Sequence, residues 1–227
     1  MSIKKTDQFI FWVILFLTIT CNAIGQTISS SIPSKVDING NYLFYLHAGV
    51  VTELGNNAIN QSVPEWVPYE YFNILDSLRK HGFNVISEIR EKGIDDSVYV
   101  NKISNQVDSL MKTGVRANKI VVVGASSGWG ITLGVSSKLK NEKMKYVIMG
   151  GCRSETYKDY LNTELYGQFL SITEATDPHG TCYMIFDKRN HVKSYQEITL
   201  HTGLSHGFIY KGHKEWIEPI VNWFEKK

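Results

Sequence analysis

The sequence predicts an α/β protein, a three-layer sandwich with helices on both faces of a mainly parallel sheet of about six strands. Three observations lead there. From residue 41 onward, short β-favouring apolar runs alternate with stretches of helical periodicity. One of those runs, Lys119 to Val123 (KIVVV), is continuous and mostly β-branched, as in a strand covered on both faces. The 227-residue length, with 43% hydrophobic and 20% charged residues, suits one globular domain whose core needs no metal or disulfide staple.

The chain opens on a segment of a different kind. Lys4 and Lys5 precede an apolar stretch from Phe9 to Ile19, and Ala23 and Gly25 supply the small residues of a processing site. That pattern is a secretory leader, residues 1–25, cut between Gly25 and Gln26. The apolar run is shorter than the roughly 20 residues that span a bilayer. An uncleaved N-terminal anchor is one alternative. Lipid attachment at Cys21 is another, disfavoured because Thr20 stands where a smaller residue is preferred. Residues 26–40 then form a lead-in, with Ile28 to Lys35 (ISSSIPSK) read as flexible, and 41–227 form the domain.

Within the domain, Tyr42 to His47 is a buried strand bounded by glycine on both sides. Tyr69 to His81 carries Tyr71, Ile74, Leu75 and Leu78 at helical spacing and ends at Gly82. Strand Phe83 to Ile89, helix Val98 to Thr113 and strand Lys119 to Val123 follow. A helix from Ser127 to Lys140 leads to strands at Tyr146 to Met149, Phe169 to Thr173 and Ile198 to His201, and Lys214 to Phe224 is a closing amphipathic helix. The longest loop, Thr52 to Tyr69, holds Pro64, Trp66 and Pro68 and is placed to wall a pocket.

A formal net charge of +2, with no run of five like charges, predicts no nucleic-acid partner. Neither H-E-x-x-H nor a Cys/His cluster occurs, so no metal is implied, and no cofactor. After leader removal Cys152 and Cys182 remain. An oxidising compartment permits a bridge between them, and plain packing is the alternative.

The chemistry-bearing motif is Gly124-Ala125-Ser126-Ser127-Gly128, at the end of KIVVV and the start of a helix. G-x-S-x-G at that junction puts Ser126 on a tight turn, hydroxyl outward, with the Ser127 amide facing a developing oxyanion. VVVGASSGWG also resembles the glycine-rich turn of short-chain dehydrogenases. Against that, two strand-helix units precede it, and the only Y-x-x-x-K, Tyr210 to Lys214, lies almost at the C-terminus. An exported chain would also meet little nicotinamide cofactor.

Partners for the serine lie further along. Asp177, the last residue of ITEATD, lies shortly after the strand Phe169 to Thr173 and is the acid of choice, with Glu174 and then Asp187 as competitors. His206, in GLSHGF before the last helix, is the base. His179, His191, His201 and His213 are the other candidates; His201 and His213 read as structural or surface residues.

Four elements, LHAG, GASSG, ITEATD and GLSHGF, make the chain similar to the α/β-hydrolase superfamily over nearly all of Tyr42 to Phe224. The resemblance implies an α/β-hydrolase fold trimmed at the N-terminus, without a lid domain. It also implies a Ser126–His206–Asp177 triad working through an acyl-enzyme. Members usually carry His-Gly after the corresponding strand, whereas Ala48 intervenes here. Gly49 is therefore read as the second oxyanion donor beside Ser127, with Ala48 as the alternative and His47 as a structural residue. Trp129 either lines the pocket or packs beneath it. Esters are the expected small-molecule substrates, and thioesters and peptides remain open. A secreted binding protein with an idle triad is the competing reading.

Overall fold

The computed structural model describes residues 25–60, 68–153, 155–187 and 189–226. The leader reading therefore falls almost wholly outside the described residues, as do Pro64 and Trp66. Among the described residues the sheet has seven strands, all parallel to their neighbours. They are β1 (Ile28–Ser29), β2 (Asn41–Leu46), β3 (Phe83–Ile86), β4 (Ile120–Ala125), β5 (Lys145–Met149), β6 (Gly167–Glu174) and β7 (Val192–Leu200). Their order across the sheet is β1-β3-β2-β4-β5-β6-β7.

Every residue of β4 is buried, which is what its unbroken apolar character requires. Side chains alternate between faces with the strand period of two. Leu43, Tyr45, Val121, Val123, Val147 and Met149 pack on one side against α3 (Tyr71–Lys80) and α7 (Lys214–Glu225). Tyr42, Phe44, Val122, Tyr146 and Ile148 pack on the other against α4 (Asp96–Lys112) and α5 (Gly128–Leu139). The three-layer sandwich predicted from the alternation is the one observed.

Three expectations are corrected. Residues 28–35 are not wholly a flexible lead-in. Ile28 and Ser29 pair with Val85 and Ile86 as an edge strand, held by Val85 N–H on Thr27 O (2.8 Å) and Ser87 N–H on Ser29 O (2.9 Å). The last strand begins at Val192, six residues before the predicted start. Its polar first half (Lys193, Ser194, Gln196, Glu197) is an edge strand's solvent-facing pattern. The loop read over 52–69 is helical in its first part, with Thr52–Leu54 finishing α1 (Gly49–Leu54), followed by α2 (Asn56–Asn60).

The strand order explains where a site can form. From β2 the chain moves outward to β3, then crosses back to the far side of β2 as β4. The connections after β2 and β4 thus diverge to opposite sides and leave a crevice at the strands' carboxyl ends. The loops carrying Gly49 and Ser126 open onto it.

Candidate active site

Ser126 follows β4 directly and adopts φ +48°, a left-handed conformation unusual for a residue with a Cβ. Its N–H donates to Met149 O (2.8 Å), and its carbonyl accepts from the Trp129 N–H (2.8 Å), so both sides of the turn are tied down. The flanking glycines are needed for close approach. A Cβ on Gly124 would sit 2.4 Å from both Gly128 O and Thr132 Oγ1, and one on Gly128 would sit 2.4 Å from Leu46 O. Strand-helix contact this tight turns the serine hydroxyl out over the sheet edge.

His206 lies in a short turn, Ser205–Ile209, between β7 and α7. Its Nε2 is 2.9 Å from Ser126 Oγ, and its Nδ1 is 2.8 Å from Asp177 Oδ2. A carboxylate can only accept, so Nδ1 carries the proton and Nε2 is left to accept from the serine hydroxyl. The three residues, distant in sequence, form one hydrogen-bonded line. Gly150, at φ +54°, makes room for it, because a Cβ there would lie 3.0 Å from His206 Cε1.

Asp177 stands three residues beyond β6, its N–H turned back onto Glu174 O (2.8 Å). The second carboxylate oxygen, Oδ1, accepts from His179 Nδ1 (2.6 Å) and from the His179 N–H (3.0 Å). Burial pushes the Asp177 carboxyl up. The hydrogen bonds from His179 and His206 outweigh it and hold the group well below the usual carboxylate range. The His179 and His206 rings lie 4.2 Å apart. Asp177, His179 and His206 have ligand-type atoms within 4.8 Å of one another, a spacing open to a cation, yet these atoms already hydrogen-bond as described.

The competitors fall elsewhere. Glu174, buried at the end of β6, accepts from the Thr202 N–H (2.9 Å), the Thr202 hydroxyl (2.7 Å) and the Gly203 N–H (3.2 Å). It organises the turn before His206 and does not touch the imidazole line. Asp187 stands just past the end of α6 (Tyr183–Phe186), His191 pairs with Glu142, His201 is exposed, and His213 stands just before α7 without a side-chain capping bond. His47 is fully buried, with Nδ1 on Ala48 O (2.9 Å) and Nε2 accepting the Arg90 N–H (2.9 Å). Burial, and then the Arg90 charge, lower its pKa to about 4, which keeps it neutral.

Gly49 opens α1 and faces the residue after Ser126, since a Cβ added there would lie 3.2 Å from Ser127 Oγ. Beside Ser126 and Ser127 is a cavity of about 280 Å³. Its walls are Asp96, Trp129, Arg153, Thr156, Asp159 and Tyr160. Trp129 lines the cavity and also packs, its ring 4.5 Å from that of Tyr160. Sequence reasoning missed the wall formed by Arg153, Thr156, Asp159 and Tyr160, because these residues show no strand or helix periodicity to place them. A disulfide joins Cys152, just before that wall, to Cys182, just after the Asp177 loop.

The sequence matches no family model and no curated protein. Solved structures match in fold. SOBER1 of Arabidopsis thaliana superposes with a TM-score of 0.54 at 12% identity, covering 82% of this chain and 97% of its own. The esterase domain of a Rhodothermus marinus protein gives 0.53 at 11% identity, over 85% and 89%. A lipase-esterase related protein from Clostridium acetobutylicum gives 0.52 at 14%, over 82% and 96%.

The chain has the α/β-hydrolase fold. In this fold Ser126 lies on the turn from β4 to α5, Asp177 beyond the end of β6, and His206 between β7 and α7. The departure at His47-Ala48-Gly49 also acquires a structural account. His47 is turned into the protein and held by Arg90, and α1 starts at Gly49.

Proposed function

We propose that this chain is a serine hydrolase that cleaves carboxylic esters through an acyl-enzyme on Ser126. One observation carries the reading: Ser126, strained at φ +48° beside a cavity, is linked to His206 at 2.9 Å and through it to Asp177 at 2.8 Å. Each link has a chemical use. His206 Nε2 takes the hydroxyl proton as Ser126 Oγ attacks the ester carbonyl, and returns it to the departing alkoxide. Asp177 keeps the imidazole in the required tautomer and stabilises the imidazolium between the two transfers. The amides of Ser127 and Gly49 receive the tetrahedral oxygen. Water then repeats the sequence on the acyl-enzyme, with His206 again as base.

The cavity favours small, polar esters over long acyl chains. Asp96, Arg153, Thr156 and Asp159 give it polar and charged walls, and its volume of about 280 Å³ falls just below the usual range for ligand sites, which starts near ~300 Å³. Among the described residues, no helix is long and apolar enough to cross a membrane. Export by the leader at residues 1–25 is part of the proposal, supported by the Cys152–Cys182 disulfide, a bond favoured in oxidising compartments.

A fluorophosphonate probe, which reacts with activated serines, tests the reading alongside turnover of p-nitrophenyl acetate. Wild type is expected to label and turn over. Ser126→Ala is expected to lose labelling and about 10³-fold or more of turnover. An unlabelled, folded wild-type protein would hand the reading to the binding-protein alternative.

A further inference from the structure

The serine-hydrolase reading leaves Arg90 unused, although it is one of the most deeply buried charges in the protein, at 4% exposure. It lies in the connection between β3 and α4, with no carboxylate within ion-pair distance among the described residues. Taking a guanidinium out of water without a carboxylate is costly, so its other contacts must hold it there. Those contacts converge on one place. Nη2 donates to His47 O (2.7 Å), to Ser127 Oγ (3.0 Å) and to Thr52 Oγ1 (3.3 Å), and Nε also reaches Thr52 Oγ1 (3.3 Å). The Arg90 N–H holds the His47 ring. Nη1 is buried without a hydrogen-bond partner.

We propose that Arg90 is a positioning residue that fixes the two oxyanion amides, those of Gly49 and Ser127, relative to each other. The inference rests on the hydrolase reading and on geometry. Gly49 lies between His47 and Thr52, both held by the guanidinium, and Ser127 is held by the same nitrogen from the other side. Gly49 also faces Ser127, since a Cβ added to it would come within 3.2 Å of Ser127 Oγ. One planar, multidentate cation therefore spans the two segments to which this reading assigns the oxyanion donors. A lysine keeps the charge, but its ammonium ends short of the Nη2 position and lacks the rigid planar group and the Nε donor, so it cannot reproduce this set of contacts. A donor misplaced by a fraction of an ångström weakens binding of the tetrahedral oxygen while leaving ground-state ester binding nearly unchanged.

The test compares wild type, Ser126→Ala, Arg90→Lys and Ser127→Ala with p-nitrophenyl acetate, reading kcat and KM separately, with thermal melts as the check of folding. Ser127→Ala keeps the backbone amide and removes only the oxygen that Arg90 grips, so it tests the idea even if Arg90→Lys does not fold. The expected result is a kcat lowered about tenfold in Ser127→Ala and about 10- to 100-fold in Arg90→Lys, with KM within about twofold of wild type. If folded Ser127→Ala keeps wild-type kcat, or if its loss lies in KM alone, the positioning role is overturned. If wild type itself shows no Ser126-dependent turnover, the hydrolase reading fails and takes the inference with it. Wild-type turnover abolished by Ser126→Ala but untouched in the other two variants removes the inference alone.

Discussion

Glu174 and Thr202 are joined twice: the carboxylate accepts the Thr202 N–H at 2.9 Å and its hydroxyl at 2.7 Å. The same side chain takes the Gly203 N–H and the Thr176 hydroxyl. It therefore binds the end of β6 to the turn that delivers His206. Burial raises the Glu174 pKa, but the bonds from Thr202 and Gly203 prevail and leave it lowered.

This arrangement separates two carboxylates that sequence reasoning could only rank. Asp177→Asn is expected to lower kcat by about 10⁴-fold, because an amide no longer selects the imidazole tautomer. Glu174→Gln presents an amide to N–H donors, loosens the turn, and is expected to cost about tenfold. Steady-state kinetics on both variants decides it. A greater loss in Glu174→Gln would reverse the two roles.

His47 gives the fold a pH dependence. Its pKa falls from 6.5 to about 4 on folding. The unfolded chain therefore binds the proton first as pH drops. Stability is full above about 6.5 and declines between 6.5 and 4, by about 3 kcal/mol across the window. Urea unfolding at several pH values should show a flatter decline in His47→Gln, which removes the titrating group. An equal slope in both proteins would refute the assignment. Asp177 acts lower: its depressed pKa contributes stability above its unfolded value near 3.8, lost as pH falls further.

The disulfide spans a sequence separation of 30 and has both sulfur residues buried. Replacing both cysteines by serine is expected to lower stability by about 3 kcal/mol, mainly by freeing the unfolded chain. Chemical denaturation measures that. Because Cys152 adjoins the cavity wall and Cys182 follows the Asp177 loop, activity should become more heat-sensitive as well.

At the elbow, Gly124→Ala would force a methyl group to within 2.4 Å of Gly128 O. Strand β4 and helix α5 must then separate. The expected loss is about 3 kcal/mol of stability together with fluorophosphonate labelling. A variant that melts like wild type and labels at the same rate would show that the close packing is dispensable.

How much of this was legible depends on the range of the physics involved. Strand β4 declared itself because burial on both faces leaves no polar position in Ile120 to Val123. Ser126 was legible because the turn itself demands glycine on both sides: Gly124 answers to Gly128 and Thr132 a few positions on, although Gly128 packs against the distant Leu46. Edge strands hid: β1 has only two residues, and β7 begins with polar ones. Asp177 and Glu174 differ through a turn that reverses the backbone between them, which composition does not encode. Arg90 was invisible. Its partners lie 37 to 43 positions away, and an arginine after an apolar strand ordinarily faces solvent.

The two-residue strand at Ile28–Ser29 has a practical bearing on how the protein is produced. It occupies the outer margin of β3, where Val85 and Ser87 would otherwise present bare amides to solvent. An expression form trimmed to the residue-41 boundary would keep every group of the proposed chemistry and lose that cover. Such a form offers neighbouring molecules a template for strand addition, so it should self-associate where the longer one stays dispersed.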